Sequence, residues 1–178
     1  MALLLKDSEI LLRAVEPEDL EFLYECENNP EIWHLSNTLS PYSRFVLKQY
    51  IADSQNDIYT NKQLRLIICP NFEPERPLGA IDLFDIDPHH HRAGIGIVIH
   101  YNSERQKGYA NRALNLLINY CFNFLHLHQL YCTTTPDNFA SIKLFSQNGF
   151  VECGRKKEWL YNGSGYVDEI MFQLIKPE

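Results

Sequence analysis

The hexapeptide RQKGYA, residues 105–110, follows the apolar run GIGIVIH, residues 94–100, and leads into the amphipathic stretch NRALNLLINYCFNFL, residues 111–125. A chain that leaves a strand and enters a helix through such a segment exposes backbone N–H groups that no helical carbonyl can satisfy, at the positive end of the helix dipole. Gly108 permits a conformation or a close approach that a side chain would block. Ala110 keeps the first turn small, and Arg105 and Lys107 add positive charge. The segment reads as an anion site that suits a pyrophosphate, although an ordinary strand-to-helix turn has the same local signature. Beyond it, Ala110, Ala113, Leu114, Leu117, Ile118, Cys121 and Leu125 recur at spacings of three and four, which predicts one long helix with a single apolar face.

Working outward in both directions, short strands alternate with helices. EILLRAV (9–15) reads as a first strand, and Pro17 with acids in the following turn starts a helix that carries Leu20, Leu23 and Tyr24. Ser40 and Pro41 read as cap and first residue of a second helix, with Phe45 and Ile51 among its apolar positions. LRLIIC (64–69) is a strand ended by the proline-rich PNFEPERP. LGAIDLFDID (78–87) and AGIGIVIH (93–100), joined by PHHHR, form an antiparallel pair, because so short a link cannot make a parallel crossover. QLYCTTT (129–135) is followed by a short helix over Phe139–Gln147, then by a hairpin of FVECGRKKEWLY and YVDEIMFQL around NGSG. The expected architecture is a single α/β (α+β) domain spanning 1–178, with a mixed, mainly antiparallel sheet and flanking helices.

Composition narrows the function classes. A chain of 178 residues fits one core, since single cores grow to roughly 250 residues. No apolar run approaches the roughly 20 residues of a bilayer helix, and the N-terminus lacks the charged start and long apolar centre of a signal peptide. Cytoplasmic residence and no membrane partner are expected. The net charge of −7 argues against nucleic acid and accords with a cationic partner. Five cysteines at wide spacings, without a C-x-x-C pair, read as buried thiols in a reducing compartment. His89, His90 and His91 sit consecutively on a turn and so point in different directions. With no complementary ligand cluster, no metal site is expected.

A second constellation, TTTPDNFASIKLFSQNGF (133–150), leaves a strand through three threonines, caps a helix at Asn138 and stops it at Gly149. Polar strand end and capped helix together leave a gap in which a ligand could lie. Arg105-Gln106-Lys107-Gly108-Tyr109-Ala110 resembles the Q/R-x-x-G-x-G/A acetyl-CoA signature of the GNAT superfamily of N-acetyltransferases. Asn138-Phe139-Ala140-Ser141 with Asn148-Gly149-Phe150 resembles that superfamily's later asparagine helix. Within it, LRAVEPEDL, ENNPEIW, PHHHRAGIGIVI and LYNGSGYVDEIMF are similar to the bacterial spermidine/spermine acetyltransferases and the ribosomal-protein alanine acetyltransferases.

The resemblance implies a splayed central strand pair. Ile97, Val98 and Ile99 would hold the pantetheine arm of acetyl-CoA through their backbone, and Arg105, Gln106, Lys107, Gly108, Tyr109 and Ala110 would hold the pyrophosphate. Asn138 and Ser141 would approach the cofactor from the far side. Transfer would be direct, without metal or covalent intermediate, to a small-molecule or peptide amine, with a polyamine the best reading. Relatives of this kind form dimers or larger rings, so a homo-oligomer is implied. The amine needs a proton acceptor, because alkyl ammonium groups titrate near 10.4. Asp82 and Asp85 are the candidates. Being three apart, they should face opposite sides of a regular strand, so at most one would serve unless a bulge intervenes. Glu31 and the acids of ECENNPE are second candidates. Two departures stand out. Seven residues after the motif asparagine, where relatives place a tyrosine that can protonate the leaving thiolate, this chain has Phe145. Where several relatives place a glutamate, it has Gly94. The two departures keep open a second reading, an acetyl-CoA-binding protein with weakened catalysis.

Overall fold

The computed structural model describes residues 4–36 and 38–177. The apolar N-terminal patch read from the sequence therefore lies partly outside the described residues. The strands are β1 (Ile10–Ala14), β2 (Gln63–Pro70), β3 (Gly79–Asp87), β4 (Arg92–Ile99), β5 (Gln129–Thr134), β6 (Val151–Tyr161) and β7 (Tyr166–Ile175). The helices are α1 (Leu20–Glu27), α2 (Pro30–Ser36), α3 (Arg44–Asp53), α4 (Ile58–Asn61), α5 (Tyr109–Asn123) and α6 (Phe139–Gln147). Among the described residues one seven-stranded sheet runs in the order β1-β2-β3-β4-β5-β7-β6. Its one parallel pair is β4 with β5, joined through α5, and every other neighbour is antiparallel. None of the described helices is long and apolar enough to cross a membrane.

Strand alternation divides the core between the two faces of the sheet. On one face Ile81, Leu83, Ile95, Leu130, Cys132, Ile170 and Phe172 pack with Ala113, Leu114, Leu117 and Cys121 of α5 and with Phe145 of α6. On the other, Ile67, Cys69, Ala80 and Val98 pack with Phe22, Leu23 and Cys26 of α1 and with Leu47 of α3. The three-and-four spacing of α5 is thus a buried stripe. Leu114 and Leu117 are fully buried, each contributing about 2 kcal/mol by area removed from water. The entry into α1 is pinned by Asp19, which is buried and accepts two hydrogen bonds from Arg13 (both 2.7 Å) and one from the Glu16 amide (2.8 Å).

One element begins later than the sequence suggests. The cap of α3 is Ser43, whose side chain accepts from the Val46 amide, and not Ser40. Phe45 is exposed, and Leu47 carries the burial of this helix.

His100 follows β4 among aromatic neighbours, edge-on to Phe22 and Tyr101. Its Nδ1 is buried and has no hydrogen-bond partner among the described residues. Burial pulls its pKa below the ordinary 6.5, with Arg105 adding to that and Glu25 opposing it. The fold therefore prefers neutral imidazole. This contribution to stability is complete above the unfolded value of about 6.5 and is lost as the pH falls below it. Denaturant titrations at pH 7.5 and 5.0 are expected to show a larger acid loss for the wild type than for His100→Phe, which keeps the ring packing without the titration. Equal losses would remove His100 from this role.

Candidate active site

The β4–β5 pairing covers Arg92↔Gln129, Ala93↔Leu130 and Gly94↔Tyr131 and then stops, although β4 continues to pair with β3 as far as Gly79↔Ile99. The two parallel strands therefore part beyond Gly94. A cavity of about 140 Å³ occupies the opening, lined by Ile95, Gly96, Ile97, Thr133, Thr134, Thr135, Asn138, Ser141, Phe145, Leu160 and Glu169. Its lining comes from both faces of the sheet. Ile95, Ile97 and the α6 residues belong to the α5/α6 side, whereas Gly96, Thr133 and Glu169 alternate onto the α1/α3 side.

The loop after β4 has the geometry of an anion cradle. Gln106 and Gly108 take left-handed conformations (φ 63° and 88°), and a Cβ on Gly108 would meet nothing within 4 Å. Glycine is therefore used there for its backbone conformation and not for close approach. The first helical bond of α5 comes from the Arg112 amide to the Gly108 carbonyl (3.1 Å), leaving the amides of Tyr109, Ala110 and Asn111 in the open first turn. Alternation of left- and right-handed residues ahead of a helix gathers such amides into a nest for a negative group.

The cations of this loop are already engaged. Arg105 folds back to donate to the carbonyls of Ile99 (3.1 Å) and His100 (3.5 Å). Lys107 pairs with Glu104 (2.9 Å), which also takes Arg76. Sequence reading placed both charges beside the anion. In the structure Arg105 ties the loop to the end of β4, and Lys107 pairs with a buried carboxylate.

Of the other residues read from the sequence, Ile97, Asn138 and Ser141 line the cavity. Val98 and Ile99 lie farther along β4, packed on opposite cores. Asn138 accepts from the Ser141 amide (3.1 Å) as the cap of α6. Phe145 is 4 % exposed, edge-on to Phe150 with ring centroids 5.1 Å apart, and lines the cavity with its ring. Ser141 supplies a hydroxyl to the cavity wall, whereas Tyr101 and Tyr109 do not line it.

The carboxylates sort differently from the simple alternation rule. Asp82 accepts from Arg65 Nε (2.7 Å) and Nη2 (2.8 Å), while Glu27 takes Arg65 Nη1. Two carboxylates thus share one guanidinium, which lies 5.4 Å from the Tyr50 ring. The cluster carries a net negative charge on the α1/α3 face. Burial alone would lower the Arg65 pKa, but Asp82, Tyr50 and Glu27 overcome that and hold it firmly charged. Asp85 lies where β3 slips register, at φ 48°. Its Oδ2 accepts from the Tyr131 hydroxyl (3.3 Å), on a residue whose partner Gly94 faces Phe84. The irregularity brings Asp85 to the same face as Asp82, contrary to the regular-strand expectation. Glu31 is exposed in the first turn of α2, and Glu25 is 3.9 Å from His100.

Phe84 explains Gly94. A Cβ on Gly94 would lie 2.3 Å from the Phe84 ring, which is itself edge-on to Tyr131. A glutamate at this position and the ring cannot coexist. Gly94→Glu is expected to expel Phe84 and cost about 2 kcal/mol of stability, read as a lowered Tm. The pair Gly94→Glu with Phe84→Ala should recover most of the loss, and a Tm unmoved in the single variant would show that Phe84 is free to leave.

The turn histidines have a structural role. The amides of His89 and His90 donate to Asp87 Oδ1 (3.0 and 2.9 Å), and the His91 carbonyl accepts from the His128 amide (2.7 Å) where the β4–β5 pair begins. Among the described residues no group of three His, Cys, Asp or Glu side chains could hold a metal.

Thr133 to Thr135, read from the sequence as bordering a gap for a ligand, line the cavity, whereas sequence reading missed Gly96 and Glu169. The polar end of β5 was a usable signal for the threonines. Glu169 gave one only as an acid directly before two apolar residues of a strand.

Residues 9–151 match the family model described as "Acetyltransferase (GNAT) domain". The spermidine N(1)-acetyltransferase of Escherichia coli K12 is 30 % identical over 156 residues, covering 86 % of this chain and 80 % of that one. The crystal structure of spermidine N-acetyltransferase from Vibrio cholerae in complex with CoA and spermine has a TM-score of 0.84, 25 % identity, and coverage of 95 % and 96 %. A dodecameric structure of the V. cholerae enzyme has a TM-score of 0.78 and 26 % identity, covering 95 % of each chain.

Proposed function

Because the chain belongs to the GNAT acetyltransferase family, we propose that it transfers an acetyl group from acetyl-CoA directly to a primary amine of a polyamine of the spermidine/spermine class. The observation that carries this reading is the parting of β4 from β5 beyond Gly94 over the nest at 105–110.

In this reading the unpaired edge of β4, Ile97 to Ile99, receives the pantetheine amides. The amides of residues 105–110 receive the pyrophosphate. Asn138 and Ser141 close the α6 side. N–H groups of the freed β4 edge stabilise the oxyanion that forms as a neutral amine attacks the thioester. The acceptor enters from the α1/α3 face, where the Glu27–Arg65–Asp82 cluster is net negative and suits a polycation. Asp85 takes the ammonium proton, and Asp82 supplies charge through Arg65 without being free to act as a base.

Thiol release from acetyl-CoA should saturate with spermidine or spermine, with kcat/KM at least tenfold above that for an amino-terminal peptide or an amino acid. Tight CoA binding with no thiol released from any amine would sink the transferase reading and leave a CoA-binding protein, which the absent hydroxyl at Phe145 would explain.

Self-association belongs to the same proposal. β6 is an eleven-residue edge strand, exposed along nearly its whole length, with Trp159 and Tyr161 on it and Tyr166 across the hairpin. A bare edge of this kind is a ready pairing surface. Light scattering is expected to give a mass several times 20.8 kDa, and a monomer mass at micromolar concentration would oppose it. Residence in the cytoplasm fits the five free cysteines, with Cys26, Cys121 and Cys132 pushed up to about 12 by burial.

A further inference from the structure

Glu169 forms a wall of the cleft on the face of the sheet opposite the α6 residues. It precedes Ile170, which pairs with Thr134 at the last rung of β5–β7. Ile170 and Phe172 face the α5/α6 core, so Glu169 alternates to the opposite face, with Gly96 and Thr133. It is 8 % exposed and still lines the cavity. An ionised carboxylate so buried needs a cation or hydrogen-bond donors.

The cation is Lys156, opposite Glu169 in the β6–β7 ladder, whose Nζ lies 2.7 Å from Glu169 Oε2. The two ends of this pair are unequal. The Glu169 side chain is 10 % exposed, whereas that of Lys156 is 52 % exposed. The lysine nitrogen also lies 4.8 Å from the Trp159 ring centroid, a second place for its charge. A flexible, half-solvated ammonium on a carboxylate fixed in a cavity wall is a displaceable counter-ion. Chemically it is what the distal nitrogen of a diamine or polyamine presents.

Resting on the acetyl-transfer reading above, we propose that Glu169 is a specificity-determining residue. It binds a second, charged nitrogen of the acceptor after that nitrogen displaces Lys156, and so selects acceptors with two or more ammonium groups over monoamines. The displaced lysine moves outward over Trp159.

The test is calorimetric titration of spermidine, with n-butylamine as the single-charge comparator, into protein saturated with CoA. Glu169→Gln should weaken spermidine at least tenfold while changing n-butylamine and CoA less than twofold, and Glu169→Asp should restore part of the loss. Lys156→Met should tighten spermidine severalfold by removing the competing cation. A merely structural ion pair predicts that both substitutions act in the same direction, and opposite signs distinguish a displaceable counter-ion. Unchanged spermidine affinity in Glu169→Gln, equal weakening of both amines, or weakening in Lys156→Met overturns the inference and leaves the transferase reading standing. Absence of CoA binding by the wild type would remove that reading and the inference with it.

Discussion

Arg65→Met is expected to lower the unfolding free energy by about 3 kcal/mol, the low end of the range for removing one partner of a buried ion pair. The side chains concerned retain 16 % to 20 % exposure, which keeps the effect at that end. Without the guanidinium, Asp82 and Glu27 are left as like charges on adjoining elements, β3 and α1, beneath Tyr50. Asp82→Asn alone should cost less, because Arg65 keeps Glu27. The combination Arg65→Met, Asp82→Asn, Glu27→Gln should recover much of the loss, since a neutral packed set carries no uncompensated charge. Urea titration at pH 7.5 measures all three. A loss below about 1 kcal/mol in Arg65→Met would show a solvated network of the kind that surface pairs form. The cluster would then contribute little field at the acceptor face.

This cluster illustrates what could be read in the chain before its fold was known. The stripe of α5, the cap and stop of α6 and the glycine loop are local patterns, carried by residues three, four or seven apart. They appear in the structure within a residue or two of their expected limits. The parting of β4 from β5 was an implication of family likeness, because hydrophobic pattern alone does not say where a strand pair stops. Arg65, by contrast, meets residues 17 and 38 positions away, and Lys156 meets Glu169 only through a hairpin register with two slips. Such pairs are set by tertiary geometry and leave no periodic trace. The alternation rule failed at Asp85 because a left-handed residue and a register slip redirected the carboxylate, and nothing in LFDID marks that slip. Gly94 and Phe84 are ten residues apart on antiparallel strands, so their steric dependence became visible only once the register was known. The partners of the loop cations were hidden for a related reason. Arg105 meets the Ile99 carbonyl and Lys107 meets Glu104 through the folding of the loop, which its sequence does not mark.

Phe145→Tyr is expected to raise kcat about tenfold, with the KM for acetyl-CoA changed less than twofold. The ring is held edge-on to Phe150, and Phe145 lines the cleft together with Thr133 to Thr135, so the added hydroxyl joins a cavity wall that already carries hydroxyl groups. General acid catalysis contributes roughly 10²- to 10⁴-fold where the leaving group needs a proton. A thiolate with a pKa near the cysteine reference of about 8.5 needs it less, which sets the expectation below that range, at about tenfold. The mechanism leaves a second mark. An acid that must be protonated gives the pH profile of kcat a descending limb toward the ordinary tyrosine value of about 10, and the Phe145 enzyme lacks that limb. Faster turnover together with the new limb would mean that the wild-type chain runs the transfer with unassisted thiolate departure. If kcat and the pH profile are both unmoved, departure does not limit the wild-type enzyme, and the phenylalanine costs it nothing. The slow step would then lie on the acceptor side, where the proposed roles of Asp85 and of the Arg65 cluster would be the next to vary.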